Sequence, residues 1–209
     1  LNKAKSLLDP FYEKEERNFG KLVTIVDLCR PLRFKIEKEY NAKFVTNAWL
    51  KYWEIYHQYN VLSNNKKIVA FFNAELPGAA LCAFNHYIKS EVKIPFEWYA
   101  SSLKSDEALG DTYGIYENNK KRWLMNDENN GDVTDINNIL NFAQRIGPDS
   151  KVGGVDFYSH DAGIDVSDDY NKQEEKNAKI HLGAALSGFM TLKKGGCFVG
   201  KQYTFFQTW

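Results

Sequence analysis

The sequence predicts an α/β fold, a parallel sheet with helices on both faces. Three observations predict it. Residues 67–89, KIVAFFNAELPGAALCAFNHYIK, read as an apolar strand, a small-residue turn and a helix. Residues 154–191 repeat that order, with GVDFYSHD followed by a long helical pattern. Further strand candidates lie at 95–103 and 195–206, so strands and helices alternate along the chain. In such sheets ligands sit beyond the carboxyl ends of the strands, where the chain turns into a helix.

Taken in order, residues 1–44 are mixed, with the charged cluster Glu13-Lys14-Glu15-Glu16-Arg17 and two prolines, Pro10 and Pro31. They are expected to form an N-terminal extension of short helices packed on the main body. From Thr46 the pattern firms. NAWLKYWEIYHQYNVL (47–62) puts Trp49, Trp53, Tyr56 and Asn60 on one face at helical spacing and Lys51, Ile55 and Leu62 on the opposite face. A helix apolar on two sides is expected to be sandwiched.

Strand 67–73, turn 74–78 and a helix from 79 to 89 follow, then the strand PFEWYASSL (95–103). A polar stretch, 104–133, carries Gly110, Gly114 and Gly131 and includes NDENNGD. DINNILNFAQRI (135–146) repeats Ile136, Ile139, Leu140 and Ala143 at helical spacing, with Thr134 as the expected N-cap. The helix around 171–191 presents Ala178, Leu182, Ala185, Phe189 and Leu192 as its stripe, and GGCFVGKQYTFF (195–206) closes the pattern as a strand.

Composition bounds the function classes. The 209 residues fit one large domain or a domain with a small extension. With 44% hydrophobic and 26% charged residues the chain is globular rather than disordered. Lys+Arg and Asp+Glu number 27 each, so net charge does not point to a nucleic-acid partner. No run approaches the roughly 18 apolar residues of a membrane span, and Leu1 does not begin a signal peptide. Cys29, Cys82 and Cys197 are odd in number and form no CxxC, which reads as buried thiols in a reducing, cytoplasmic compartment. Leu1 at the start and Phe205-Phe206-Gln207-Thr208-Trp209 at the end read as an excised piece of something longer.

Four places carry candidate chemistry. The turn Ala74-Glu75-Leu76-Pro77-Gly78 is neither GxGxxG nor a P-loop, so a phosphate cradle is not expected; it reads equally as an ordinary βα turn or as a close approach for a ligand. Asp161, in SHDAG, stands at a strand end, where an acid serves catalysis or a cation, or merely caps a turn. Lys201 follows Gly-Gly-Cys-Phe-Val-Gly on an expected buried strand, where a lysine needs a partner or a task; its bland reading is an edge-strand guard. Lys51 has a bland reading too, as a snorkelling side chain. His57, His86, His160 and His181 are scattered, so no metal site is expected.

The order of these pieces is more specific than any one of them. A lysine on a helix, strand–ELPG turn–helix, an acidic Gly131-Asp132, strand–DAG and GG-x-F-V-x-K together resemble the FtsJ-like family of S-adenosylmethionine (SAM)-dependent ribose 2′-O-methyltransferases, in the branch that includes eukaryotic and viral mRNA cap methyltransferases. The likeness covers about residues 45–206 and is best in VDFYSHDAG … LKKGGCFVGK. NNGDVTDINNILNFAQRI also resembles the family's adenine-side acidic loop and its following helix.

The resemblance implies a Rossmann-like methyltransferase domain over 45–209, with its C-terminal strands missing from this chain, behind an extension at 1–44. It implies SAM as cofactor, RNA (the capped mRNA 5′ end) as partner, other capping or transcription proteins as possible associates, and the host cytoplasm or a virion as location. Lys51, Asp161 and Lys201 correspond to three members of the family's Lys-Asp-Lys-Glu tetrad. Ala74, Glu75, Leu76, Pro77, Gly78 and Ala79 would face the methionine part of the cofactor, with Asp161 beside its positive groups. Asp132 and Val133 would flank the adenine, and Ser101, within Ala100–Ser102, would lie near the ribose.

Two departures stand out. The family's PGG plus aromatic is here Pro77-Gly78-Ala79-Ala80, and the fourth tetrad acid has no candidate before Trp209. The competing expectation is therefore a degenerate methyltransferase fold that serves as an RNA-binding or protein-docking module.

Overall fold

Four strands of six to nine residues pair side by side in one direction, and the two central ones, Ile68–Asn73 and Val155–His160, are buried almost throughout because helices cover both faces there. The computed structural model describes residues 3, 6, 7, 10, 21, 23–27, 29–59, 61–62, 66–104, 110–164, 166 and 172–203. The charged cluster Glu13–Arg17, Asn60 and the expected strand end at 204–206 lie outside the described residues.

The chain divides into two units, Leu1–Ala42 and Lys43–Trp209. The first contains α1 (Cys29–Tyr40), ahead of which Asp27 accepts the Cys29 N–H at 3.0 Å and pairs with Arg33 at 3.0 Å. The second contains α2 (Asn47–Gln58), β1 (Ile68–Asn73), α3 (Ala79–Tyr87, ending in a π-helical turn Ile88–Val92), β2 (Phe96–Ser101), a single-turn α4 (Ile115–Asn118), α5 (Ile136–Ile146), β3 (Val155–His160), α6 (Gln173–Thr191) and β4 (Leu192–Gly200). The sheet order is β2-β1-β3-β4, all parallel. Asn73 is register partner of both Ser101 and His160, and His160 of Gly200, so all four carboxyl ends finish level.

Side chains alternate across a strand, and neighbouring aromatics in β1 and β3 go to opposite layers. Phe71 packs with Phe142, Ile146, Leu124 and Tyr158 on the α5 side. Phe72 and Phe157 meet Phe84 of α3, and Tyr56 of α2 closes edge-on over Phe84 and Phe157.

The structure corrects several expectations about faces. Helix α2 is not sandwiched. Its buried side chains are Trp49, Tyr52 and Tyr56, while Lys51 is exposed and Ile55 half-buried, because only one face meets the domain. Asp135, not Thr134, caps α5, accepting the Asn137 N–H at 2.9 Å. The buried face of α5 is Asn138, Ile139, Phe142 and Ile146, whereas Ile136 and Leu140 are each 49% exposed.

Helix α6 inverts its expected stripe. Leu182 and Phe189 face outward, Phe189 at 73% exposure, and the inward row is Glu174, Asn177, His181, Ala184, Gly188 and Thr191. The reason is close approach. A Cβ on Gly188 would lie 2.3 Å from Phe198 Cε2, and one on Gly183 would lie 1.8 Å from the Val133 carbonyl oxygen. Small residues must therefore face the sheet, and bulk is left outside.

Strand β4 begins at Leu192, earlier than its glycines suggested. A bulge opposite Val155–Phe157 loops out Lys193–Gly195, with Gly195 at φ +82°, and Lys193 pairs with the buried Asp156. All three cysteines are free; Cys29 is exposed and Cys82 and Cys197 half-buried, so the expected burial of the thiols does not hold. Among the described residues no helix is long and apolar enough to cross a membrane.

Candidate active site

Level strand ends create a common rim, and every candidate group except Lys51 is tied to it. The 74–78 turn is strapped down from its first residue. Ala74, in left-handed backbone at φ +54°, donates its N–H to Asn73 Oδ1 at 2.9 Å. Glu75 N–H reaches the Ser101 carbonyl at 3.0 Å, Leu76 N–H the Ser102 hydroxyl at 2.8 Å, and Gly78 N–H the Glu75 carbonyl at 2.6 Å. The Leu76–Pro77 peptide is cis. Gly78 has φ +114°, and a Cβ there would sit 2.4 Å from Ile115 Cδ1, so glycine is required. Ala79 follows as the half-buried first residue of α3.

Glu75 is more than a turn residue. Its carboxylate is buried and accepts the Leu81 N–H at 2.8 Å, at the positive end of α3. Burial pushes its pKa up to about 8; the Leu81 and Ala80 amides oppose that rise, and Asp161 adds to it. No cation pairs with it among the described residues. Tyr52 joins the site from α2, and the sequence did not single it out. Burial first, then the charges of Glu75 and Asp161, hold its phenol well above the usual value.

The loop after the polar stretch is built by asparagines. Asn129 accepts the Gly131 N–H at 2.9 Å, and Asn138 of α5 donates to Asn130 Oδ1 at 2.8 Å and the Asp132 carbonyl at 3.0 Å. Gly131 has φ +78°, and a Cβ there would fall 2.0 Å from the Ser102 carbonyl oxygen. The loop thus presses on the end of β2. Asp132 uses one oxygen on the Thr134 N–H at 2.8 Å, and Val133 is buried with Ala162 and Ala184, where it forms a wall. Ser101, the last residue of β2, buries a hydroxyl that has no hydrogen-bond partner among the described residues, and Ser159 near the end of β3 meets the Tyr52 phenol. An unpaired buried hydroxyl at a strand end fits a polar cofactor.

Asp161 and Lys201 come together. Their side chains form an ion pair, each about two-fifths exposed at 39% and 41%, and Lys201 N–H donates to the His160 carbonyl at 3.1 Å. Lys201 therefore does not sit on a buried strand as expected; it lies just past Gly200, open to solvent. The Tyr203 ring lies 5.8 Å from its ammonium, and His181 packs on Tyr203 at 5.1 Å. Beneath the pair, His160 is fully buried with neither ring nitrogen hydrogen-bonded among the described residues. Burial, with the His181 and Lys201 charges, pushes its pKa down to about 4 against the pull of Asp161. It stays neutral and does not compete with Lys201 for the acid.

Lys51 is not brought to the pair. It is exposed on α2, makes no ion pair with Asp161 among the described residues, and approaches the site only through its neighbour Tyr52. Asp161, Lys201, Glu75 and the Ser101–Ser102 strand end share one rim. No group of three or more His, Cys, Asp or Glu side chains among the described residues is arranged to hold a metal.

The profile of the FtsJ-like methyltransferase family matches residues 44–208. The chain is 41% identical, over 98% of its length and 50% of the relative's, to the probable methyltransferase EP424R of African swine fever virus (isolate Pig/Kenya/KEN-50/1950). It is 30% identical to uncharacterized protein L511 of Acanthamoeba polyphaga mimivirus, over 85% of this chain and 23% of that one. It is 26% identical to the cap-specific mRNA (nucleoside-2′-O-)-methyltransferase 2 of Drosophila melanogaster, over 99% of this chain and 30% of that enzyme. The chain spans about half the length of the African swine fever virus relatives it matches. It belongs to the FtsJ-like methyltransferase family.

Proposed function

We propose that this FtsJ-like methyltransferase is a SAM-dependent ribose 2′-O-methyltransferase acting on RNA, with the capped 5′ end of mRNA as its substrate. The observation that carries the reading is the open Lys201–Asp161 pair on the same rim as the strapped 74–78 turn. Support comes also from the cap-specific relative, which shares 26% identity with nearly the whole chain. Associates drawn from capping or transcription, and a location in the host cytoplasm or virion, follow the viral relative as parts of the same proposal.

SAM supplies an electrophilic methyl group on a sulfonium when bound. The unpaired Ser101 hydroxyl, the 74–79 turn and the Asp132–Val133 loop are the residues proposed to hold it, with Asp161 beside its positive groups. Glu75 suits a positively charged group, since it is a buried acid with no cation beside it among the described residues.

A hydroxyl is a poor nucleophile until its developing charge is stabilised. The Lys201 ammonium, held in place by Asp161, would stabilise that charge on a ribose 2′-oxygen bound beside the pair. Transfer would form a carbon–oxygen bond as the donor's carbon–sulfur bond breaks, and the hydroxyl proton would leave to solvent through the open face of the pair. Asp161 orients the lysine; Lys51, exposed on α2 and not brought to the pair, has no part in this step.

The test is tritiated SAM with short capped and uncapped RNAs. Label on a ribose 2′-oxygen, lost in Lys201→Ala, is expected. A folded protein that neither binds SAM nor transfers label overturns the reading in favour of the degenerate module, which the Ala79-Ala80 pair would then explain.

A further inference from the structure

Past the end of β2 a cleft of about 350 Å³ opens that contains none of the residues assigned above. Its walls come from three separate places: Lys104 beyond β2, the 3₁₀ turn Lys120–Arg122 with its flanks, and α5. Lys104, Lys120, Lys121 and Arg145 bring four positive charges to it, and Tyr116 and Trp123 bring two aromatic rings.

The aromatic wall is fixed. Trp123 bridges to Ala100 of β2, and the Leu124 N–H donates to the Ala100 carbonyl at 2.8 Å. The Trp123 ring is buried, yet its indole N–H has no partner among the described residues. Tyr116 meets it edge-on at 5.6 Å, and the Lys120 ammonium stands 6.0 Å from the Tyr116 ring centre. Arg145 uses a 2.7 Å bond to the Leu124 carbonyl, one of the five donors a guanidinium carries.

Acids answer only part of this charge. Asp127 pairs with Lys104 at 2.9 Å and Glu117 with Lys120 at 2.8 Å. Lys121 is exposed and forms no ion pair among the described residues. Among the described residues, then, a chain with zero net charge gathers four cations and two answering acids at one concavity, an excess of positive charge. Trp123 is buried and serves as the floor, so Tyr116, half-buried, is the ring open to a base. Cations tracking a phosphate backbone beside an accessible aromatic ring suit single-stranded nucleic acid.

The place fits as well. Lys104 N–H donates to the Asn130 carbonyl at 2.7 Å, so the cleft adjoins the Gly131–Val133 loop at the same end of the sheet as the Lys201–Asp161 pair. We infer that this cleft binds the phosphodiester backbone of single-stranded RNA, as a second contact outside the reacting centre. The choice of RNA over other polyanions rests on the proposed activity.

The test is fluorescence anisotropy with a labelled uncapped RNA 20-mer across a salt series, comparing the chain with the Lys120→Glu/Lys121→Glu double variant. Loss of two phosphate contacts is expected to weaken binding about tenfold or more and to flatten the log K against log salt slope by about 1.4. SAM affinity and melting temperature serve as controls for the fold. In the transfer assay, KM for the 20-mer is expected to rise more than KM for a tetramer.

Failure of the wild type to bind the 20-mer overturns the inference. So does equal affinity in the folded double variant, as would follow if the cleft held an acidic protein segment. Displacement of the RNA by micromolar inorganic pyrophosphate would reassign the cleft to free phosphates. Methyl transfer is read separately: RNA binding that depends on Lys120 and Lys121 without any transfer overturns the proposed activity and leaves the cleft standing.

Discussion

Asp161 and Lys201 lie 40 residues apart in sequence and touch because His160 and Gly200, the last residues of β3 and β4, are parallel register partners. The pair follows from strand register, and any change that shifts β4 by one residue would dissolve it.

If the pair carries the chemistry, Lys201→Ala is expected to lower methyl transfer by about 10²–10³-fold, the scale of removing one stabilising donor from a transition state. SAM affinity should stay within a few-fold, as measured by calorimetry. Near-normal turnover in the variant would remove Lys201 from the mechanism.

Glu75 makes stability depend on pH. Its folded-state pKa of about 8 lies above the ordinary 4.5, so the folded protein holds a proton that the unfolded chain releases first. The Glu75 contribution is fully present below about pH 4.5 and is lost as pH rises through about 8. Glu75→Gln should flatten the melting temperature across that window. Identical slopes for variant and wild type would show that the acid is not buried as described.

Gly131 should resist replacement. Gly131→Ala would place a Cβ 2.0 Å from the Ser102 carbonyl at φ +78°, whereas a Cβ on Gly110 meets nothing within 4 Å. Gly131→Ala is expected to cost about 2 kcal/mol or more, with Gly110→Ala near neutral. Urea titration of the two variants separates them, and similar midpoints would contradict the clash.

Tyr158 ties the sheet to α6. Its hydroxyl donates to the Ala184 carbonyl at 2.5 Å and accepts from Asn73 Nδ2 at 3.1 Å. Tyr158→Phe leaves both partners buried without it, at a cost of about 1–3 kcal/mol. A variant as stable as the wild type in urea would mean that water replaces the hydroxyl.

The order of elements is legible in the local sequence. The runs at 68–73, 96–101 and 155–160 are strands because they are apolar or β-prone and end at turn residues, and the ELPG turn is marked by its proline and glycine. These are local properties. The sequence did not determine which face of α5 or α6 turns inward. Leu140 and Phe189 are as apolar as any core residue, yet Phe142 and Gly188 face the sheet, because the space between layers decides that. Likewise Asp161 and Lys201 were visible as separate strand-end groups, while their pairing, and the approach of Tyr52 and Glu75, depend on register and helix packing across the chain. The basic cleft was hidden for the same reason: its cations are scattered over 104–145, and only the folded chain gathers them.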